Sequence, residues 1–273
     1  MGECTDIETD RTARWVAGPR AASAAGGVQG LDPRLVSLVA PASFEAEHYR
    51  TLRARLESRQ EGKAPQILAV TSAAIGDGKT TTAINLAGAL AQARDARVLL
   101  VDADLRRPSV GLQLGLSEER SAGLSDAILD AGRSLQSVVR RRPPLSLGIL
   151  TAGSTPPAPY EVLKAPRLGA LFDEARRLFD YIVVDTPPLI PVPDCRLIAR
   201  WVDGLLMVVA AHRTPRKLVE EGLNLIEPSK IVGLVFNGDR RTPSGYYGYY
   251  HAYGRRPGRP RRGAPAAAPE PPG

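Results

Sequence analysis

Cysteine is almost missing from this sequence. The two present, Cys4 and Cys195, are too far apart for metal-ligand spacing and cannot build the framework of a disulfide-stapled secreted domain. No apolar stretch approaches the roughly 18 to 20 residues of a spanning helix; the longest is GLLMVVAA, residues 204–211. The N-terminus lacks the basic start of a secretory signal, since it carries Glu3, Asp6, Glu8 and Asp10. These absences point to a reduced, cytoplasmic chain. Aromatic residues make up only 5% of it, which makes any local crowding of them conspicuous.

The net charge of +7 is not spread over the chain. Beyond Gly238 stand Arg240, Arg241, Arg255, Arg256, Arg259, Arg261 and Arg262 against Asp239 and Glu270, leaving +5 there and +2 on the rest. A near-neutral body with a basic end excludes a nucleic-acid-binding core, and the end is read as solvated.

Residues 1–40 are rich in Ala, Gly and Thr without periodicity and are expected to form a flexible leader. SFEAEHYRTLRARLES, residues 43–58, fits a helix capped by Ser43. Apolar runs then alternate with helical stretches: QILAVTS, RVLLVDAD, LSLGILTAG, DYIVVDTPP, DGLLMVVAA and KIVGLVFNG. Continuous apolar strands separated by helices predict a mostly parallel sheet covered on both faces. The expected fold is a doubly wound α/β domain over residues 41–240, followed by a disordered tail over 241–273. Ligands of such sheets bind beyond the carboxyl ends of the strands.

The first strand runs into AAIGDGKT, residues 73–80, which has Walker A spacing with Ala73 where glycine is usual. Gly76 and Gly78 allow backbone N–H groups to turn toward phosphate oxygens, and the helix that follows points its positive end at the same anion. Lys79 would bridge the β- and γ-phosphates of ATP, and the Thr80 hydroxyl would complete a Mg²⁺ shell. Asp77 and Thr81 flank these and join the candidate nucleotide-binding set. Two more strand ends carry acid, Asp102 with Asp104 in VLLVDADLRRP and Asp185 in YIVVDTPP. Carboxylates there are costly without a cation, which a magnesium nucleotide supplies. Asn237, ending the last strand, is a candidate adenine contact.

Together AAIGDGKT, LLVDADLRRP and YIVVDTPP resemble the Walker A, A′ and B motifs of the bacterial protein-tyrosine kinases (BY-kinases) of capsule and exopolysaccharide synthesis. EHYRTLR resembles the family's subunit-contact helix through Glu47, Arg50 and Arg53, and GLSD at 123–126 stands where expected. APYE, at 158–161, departs from the usual Asn-Pro-x-Glu, and about twenty residues follow the tyrosine cluster. The cluster, Tyr246, Tyr247, Tyr249, Tyr250 and Tyr253 within SGYYGYYHAYG, holds five of the chain's eight tyrosines.

The resemblance implies an ATP-dependent tyrosine autokinase that phosphorylates this cluster in trans. It implies Mg²⁺ on Thr80, Asp102 and Asp185, with Asp102 or secondly Asp104 as the base. Arg106 would stabilise charge or a neighbouring aspartate. Implied partners are further copies in a ring and a separate transmembrane co-polymerase that activates the chain at the inner face of the membrane. The competing class is the partition and Min-type ATPases. Their deviant loop carries a second lysine where this chain has Ala74, and they have no evident use for Asp-x-Asp-x-Arg or a tyrosine-dense end.

Overall fold

The apolar runs become seven strands: β1 (Gln66–Ser72), β2 (Val98–Asp102), β3 (Arg140–Arg141), β4 (Leu147–Leu150), β5 (Tyr181–Asp185), β6 (Gly204–Ala210) and β7 (Ile231–Asn237). The computed structural model describes residues 30–58, 66–116, 121–141 and 147–239. The strands form one sheet in the order β3-β4-β2-β5-β1-β6-β7, parallel except for the short β3, which runs antiparallel to β4. Strands β2, β4 and β6 are buried along their whole length, which is why they read as unbroken apolar runs rather than alternating ones.

Ten helices cover the two faces: α1 (Val36–Val39), α2 (Phe44–Glu57), α3 (Lys79–Leu90), α4 (Val110–Gln113), α5 (Leu124–Leu129), α6 (Leu135–Val138), α7 (Pro159–Lys164), α8 (Arg167–Leu178), α9 (Asp194–Ile198) and α10 (Arg216–Asn224) among the described residues. On one face Ile84, Leu86 and Leu90 of α3 pack with Val70, Leu100 and Val183 of the sheet. Leu35 and Leu56 cover α3 from outside. That sandwiching explains why α3 is apolar almost all round, as a doubly covered helix must be. On the other face Leu124, Leu163, Phe172, Ile198 and Val219 pack against Val101, Val184 and Met207.

The Ser43 cap forms as expected, its hydroxyl accepting from the Ala46 N–H at 3.2 Å, and Glu45 and Glu47 sit in the first turn where the helix dipole favours them. The ordered body begins earlier than residue 41, however. Residues 31–39 are already folded onto α3, with Leu35 fully buried. Asn85, also fully buried, holds them there. Its Oδ1 accepts from the Ser37 N–H at 2.9 Å, and its amide donates to the carbonyls of Arg34 at 3.0 Å and Thr81 at 2.9 Å. A four-residue helix shows no periodicity, so composition alone could not announce this segment. Asn85→Ala strands these buried groups and should cost about 2–4 kcal/mol, read as a lower urea midpoint with unchanged m-value.

Residues 1–29 and 240–273, including the tyrosine cluster, lie outside the described residues. No helix among the described residues is long and apolar enough to cross a membrane.

Candidate active site

Parallel pairing of β2 and β5 sets Asp102 directly beside Asp185 at the carboxyl edge of the sheet. β1, which neighbours β5, leads into the loop that ends at Lys79. Lys79, Thr80, Asp102, Asp104 and Asp185 therefore converge. The Lys79 ammonium lies 2.9 Å from Asp104 Oδ2 and 3.9 Å from Asp185 Oδ1. Thr80 donates its hydroxyl to Asp185 Oδ2 at 2.7 Å, and Ser109 donates to Thr80 Oγ1 at 3.1 Å. Asp102 accepts three backbone N–H groups, from Ser109 and Val110 at 3.0 Å each and from Asp104 at 3.2 Å. The Arg107 N–H closes the turn onto Asp104 Oδ1 at 3.0 Å.

Three buried carboxylates face one half-buried lysine. Burial, reinforced by the neighbouring Asp185 charge, pushes Asp102 up to about 7. Burial likewise lifts Asp185 to about 6, against the pull of Lys79. Lys79 is held above the ordinary lysine range, because Asp185, Asp104 and Asp102 outweigh the opposing effect of its own burial.

The excess negative charge fits a divalent cation. Asp185 Oδ1 is wholly buried with no hydrogen-bond partner, aimed into the space beside Thr80 and Lys79. The aspartates do not make an all-carboxylate cage among the described residues. A cation there would need oxygens from water and phosphate besides, as magnesium takes.

The loop itself needs left-handed backbone at Gly76 (φ +85°) and Gly78 (φ +94°). A Cβ on Gly78 would also stand 2.0 Å from Asn237 Nδ2. Gly78→Ala should therefore disrupt the loop and weaken nucleotide binding by about 10²-fold or more, measured by titration with a fluorescent ATP analogue. The Ala73 departure from the motif is matched across the packing. Ala73 is fully buried, and a Cβ placed on Gly222 of α10 would be 3.3 Å from its methyl group.

Other candidate residues take less obvious places. Asp77 belongs to the loop through its backbone, but its buried carboxylate turns outward and accepts from Thr214 Oγ1 at 2.7 Å. Thr81 donates to Gln113 Oε1 at 3.1 Å, tying α3 to α4. The Asn237 amide donates to the Asp77 carbonyl at 2.9 Å, so it touches the loop. Arg106 forms a two-pronged pair with the fully buried Asp194, at 2.7 and 3.1 Å. That partner is 88 positions away along the chain, not Asp102 or Asp104.

Within α2, Arg50 pairs with Glu47 and donates to the Pro41 carbonyl and, at 3.4 Å, to Gln92. Arg53 bonds Glu57 at 2.7 Å and the Ala89 carbonyl at 3.0 Å. Asp126 of GLSD accepts from the N–H groups of Gly123 at 2.8 Å and Ser154 at 3.1 Å, capping α5 and fastening the β4 exit. Ser109, Asp194, Arg213 and Thr214 were not singled out in the sequence. Only the position of Ser109, just beyond Asp-x-Asp-x-Arg, carried a signal.

A parallel sheet with a phosphate loop after one strand and acid at the neighbouring strand ends defines a P-loop nucleotide-binding protein. A family model described as AAA domain matches residues 65–199. Tyrosine-protein kinase YwqD of Bacillus subtilis is 33% identical over 218 residues, covering 79% of this chain and 90% of that protein. The succinoglycan biosynthesis transport protein ExoP of Rhizobium meliloti is 33% identical over 229 residues, covering 79% of this chain but 28% of that much longer protein. The solved kinase domain of Escherichia coli tyrosine kinase ETK superposes with a TM-score of 0.71 at 29% identity, covering 82% of this chain and 86% of that one. The chain belongs to the bacterial tyrosine-protein kinase family.

Proposed function

We propose that this kinase transfers the γ-phosphoryl group of Mg-ATP to tyrosines of the 246–253 cluster on another copy, and so regulates exopolysaccharide or capsule synthesis and export. The observation that carries this is the convergence of Lys79, Thr80, Asp102 and Asp185 at one edge of the sheet. Bound Mg-ATP supplies the electrophilic phosphoryl group and a cation on its oxygens. Gly76, Gly78 and the start of α3 would hold the phosphates through backbone N–H groups, and Lys79, paired with Asp104 in this structure, would supply positive charge to them. Thr80, Asp102 and Asp185 are the residues that would hold the cation.

A tyrosine hydroxyl, with an ordinary pKa near 10, needs its proton accepted as the new bond forms. Asp102, lifted by burial to about 7, is suited to receive it, and Asp104 is the second choice. Arg106, spanning to Asp194, would fix the turn after β2 against the segment after β5.

The partner side of the reading draws on relatives. ExoP, named a transport protein, contains a matching region within a far longer chain. That supports a membrane co-polymerase as this chain's activator, recruiting it to the inner face of the membrane. Glu47, Arg50 and Arg53 stand as the proposed contact between copies in a ring. Five phosphotyrosines would add about −8 to −10 charges at −1.5 to −2 each, against +5 on the chain beyond Gly238. Phosphorylation should therefore disperse the assembly; sedimentation with unchanged size before and after phosphorylation would count against it.

The decisive experiment is incubation with Mg-ATP, with and without the activator's cytoplasmic segment, followed by mass spectrometry of peptides covering residues 242–255. Phosphotyrosine there, strongest with the activator, is expected. ATP turnover without phosphotyrosine under both conditions would instead favour a regulatory ATPase of the partition or Min class.

A further inference from the structure

The tip of the phosphate loop is gripped from outside the nucleotide site. Asp77 sends its carboxylate away from the phosphate cradle, into the connection between β6 and α10. Only 2% of Asp77 is exposed, so its charge needs partners. Thr214 donates to Oδ1 at 2.7 Å, the Ala74 N–H approaches Oδ2 at 3.4 Å, and the Arg213 guanidinium stands 3.7 Å from Oδ1 while donating to the Gly76 carbonyl. His212 adopts left-handed backbone (φ +60°), rare for a residue with a side chain, and directs Arg213 and Thr214 at the loop. The same α10 meets the base of the loop, where Gly222 faces Ala73.

An anion at this loop position would repel phosphate if it turned inward. Turned outward, it becomes a strut. We propose that Thr214 is a positioning residue for the nucleotide. By hydrogen bonding to Asp77, it holds Gly76–Lys79 in the conformation whose N–H groups meet the phosphates, and Arg213 offsets the Asp77 charge beside them.

This rests on the loop being the ATP site. The wild-type chain binding a fluorescent ATP analogue tests that parent reading separately; no binding there would remove both.

Given wild-type binding, Thr214→Val keeps the side-chain shape and deletes the hydroxyl. Loss of a hydrogen bond to a buried charge predicts about a ten-fold or larger rise in Kd for the analogue and in KM for ATP, with kcat changed less than about three-fold. Thr214→Ser should recover most of the affinity. The double variant Thr214→Val with Asp77→Ala should bind about as well as Asp77→Ala alone, because both changes remove one interaction. Wild-type Kd in Thr214→Val, or fully additive losses in the double variant, would overturn the proposal. A fall in kcat at unchanged KM would do so too, and thermal midpoints separate these outcomes from misfolding.

Discussion

Lys79→Met should abolish tyrosine phosphorylation, a loss of about 10²–10³-fold or more, since the variant removes the cation that meets charge developing on the transferred group. Phosphotyrosine on the 246–253 cluster, followed by mass spectrometry with time, is the measurement. A fully active variant would end the assignment of roles in this site. The same change has a second signature in the resting protein. Asp104 loses its 2.9 Å partner, and Asp102 and Asp185 lose the ammonium that faces them. Methionine fills the space but offers no charge, so the Asp102 and Asp185 carboxyls, already raised by burial, will hold protons more tightly than before. Their folded pKa values then lie further above their unfolded ones. Stability from such groups is complete below the unfolded pKa and fades as pH rises through the folded one. The Lys79→Met protein should therefore be clearly less stable than wild type at pH 8, and the gap should narrow toward pH 5.5.

Asp185→Asn should act in opposite directions on activity and stability. Activity should fall by about 10²–10³-fold, because a neutral amide cannot hold the magnesium shell. Yet the nucleotide-free protein should gain. Asp185 is completely buried and raised to about 6, so above that pH the folded state carries a charge it is poorly arranged to keep. Replacing it with a neutral isostere relieves about 1–3 kcal/mol at pH 8, a rise of roughly 2–8 °C in the thermal midpoint for a domain of this size. The benefit should shrink as pH falls toward the unfolded aspartate value, where the wild-type carboxyl is already protonated. A variant melting below wild type at pH 8 would show that the Lys79 and Thr80 contacts outweigh the buried charge. Excess magnesium nucleotide should stabilise wild type and leave Asp185→Asn unmoved.

Much of this was legible because it is local. Buried parallel strands must be apolar at every position, so β2, β5 and β6 announced themselves. The carboxylates stand where those runs end. AAIGDGKT carries its geometry in its glycines. What escaped was built from pairs distant along the chain. Asp77 meets Thr214 across 137 residues, and Arg106 meets Asp194 across 88. Neither pair leaves a periodic trace, and nothing along the chain ties Asp77 to Thr214 or Arg106 to Asp194. β3, at two residues, is too short to alternate, and α1 is too short to show a stripe. In α2 the spacing of Arg50 and Arg53 indicated a shared face, but not that both reach back to carbonyls of their own chain.

The side-by-side register of Asp102 and Asp185 has a consequence for how this protein can vary. The gap between the two acids is set by main-chain hydrogen bonds between adjacent strands, not by adjustable side-chain reach. A single insertion or deletion inside either strand would rotate one acid to the opposite surface of the sheet. Changes in length should therefore be confined to the connections, leaving the spacing of this pair as fixed as a bond angle while everything hung from it drifts.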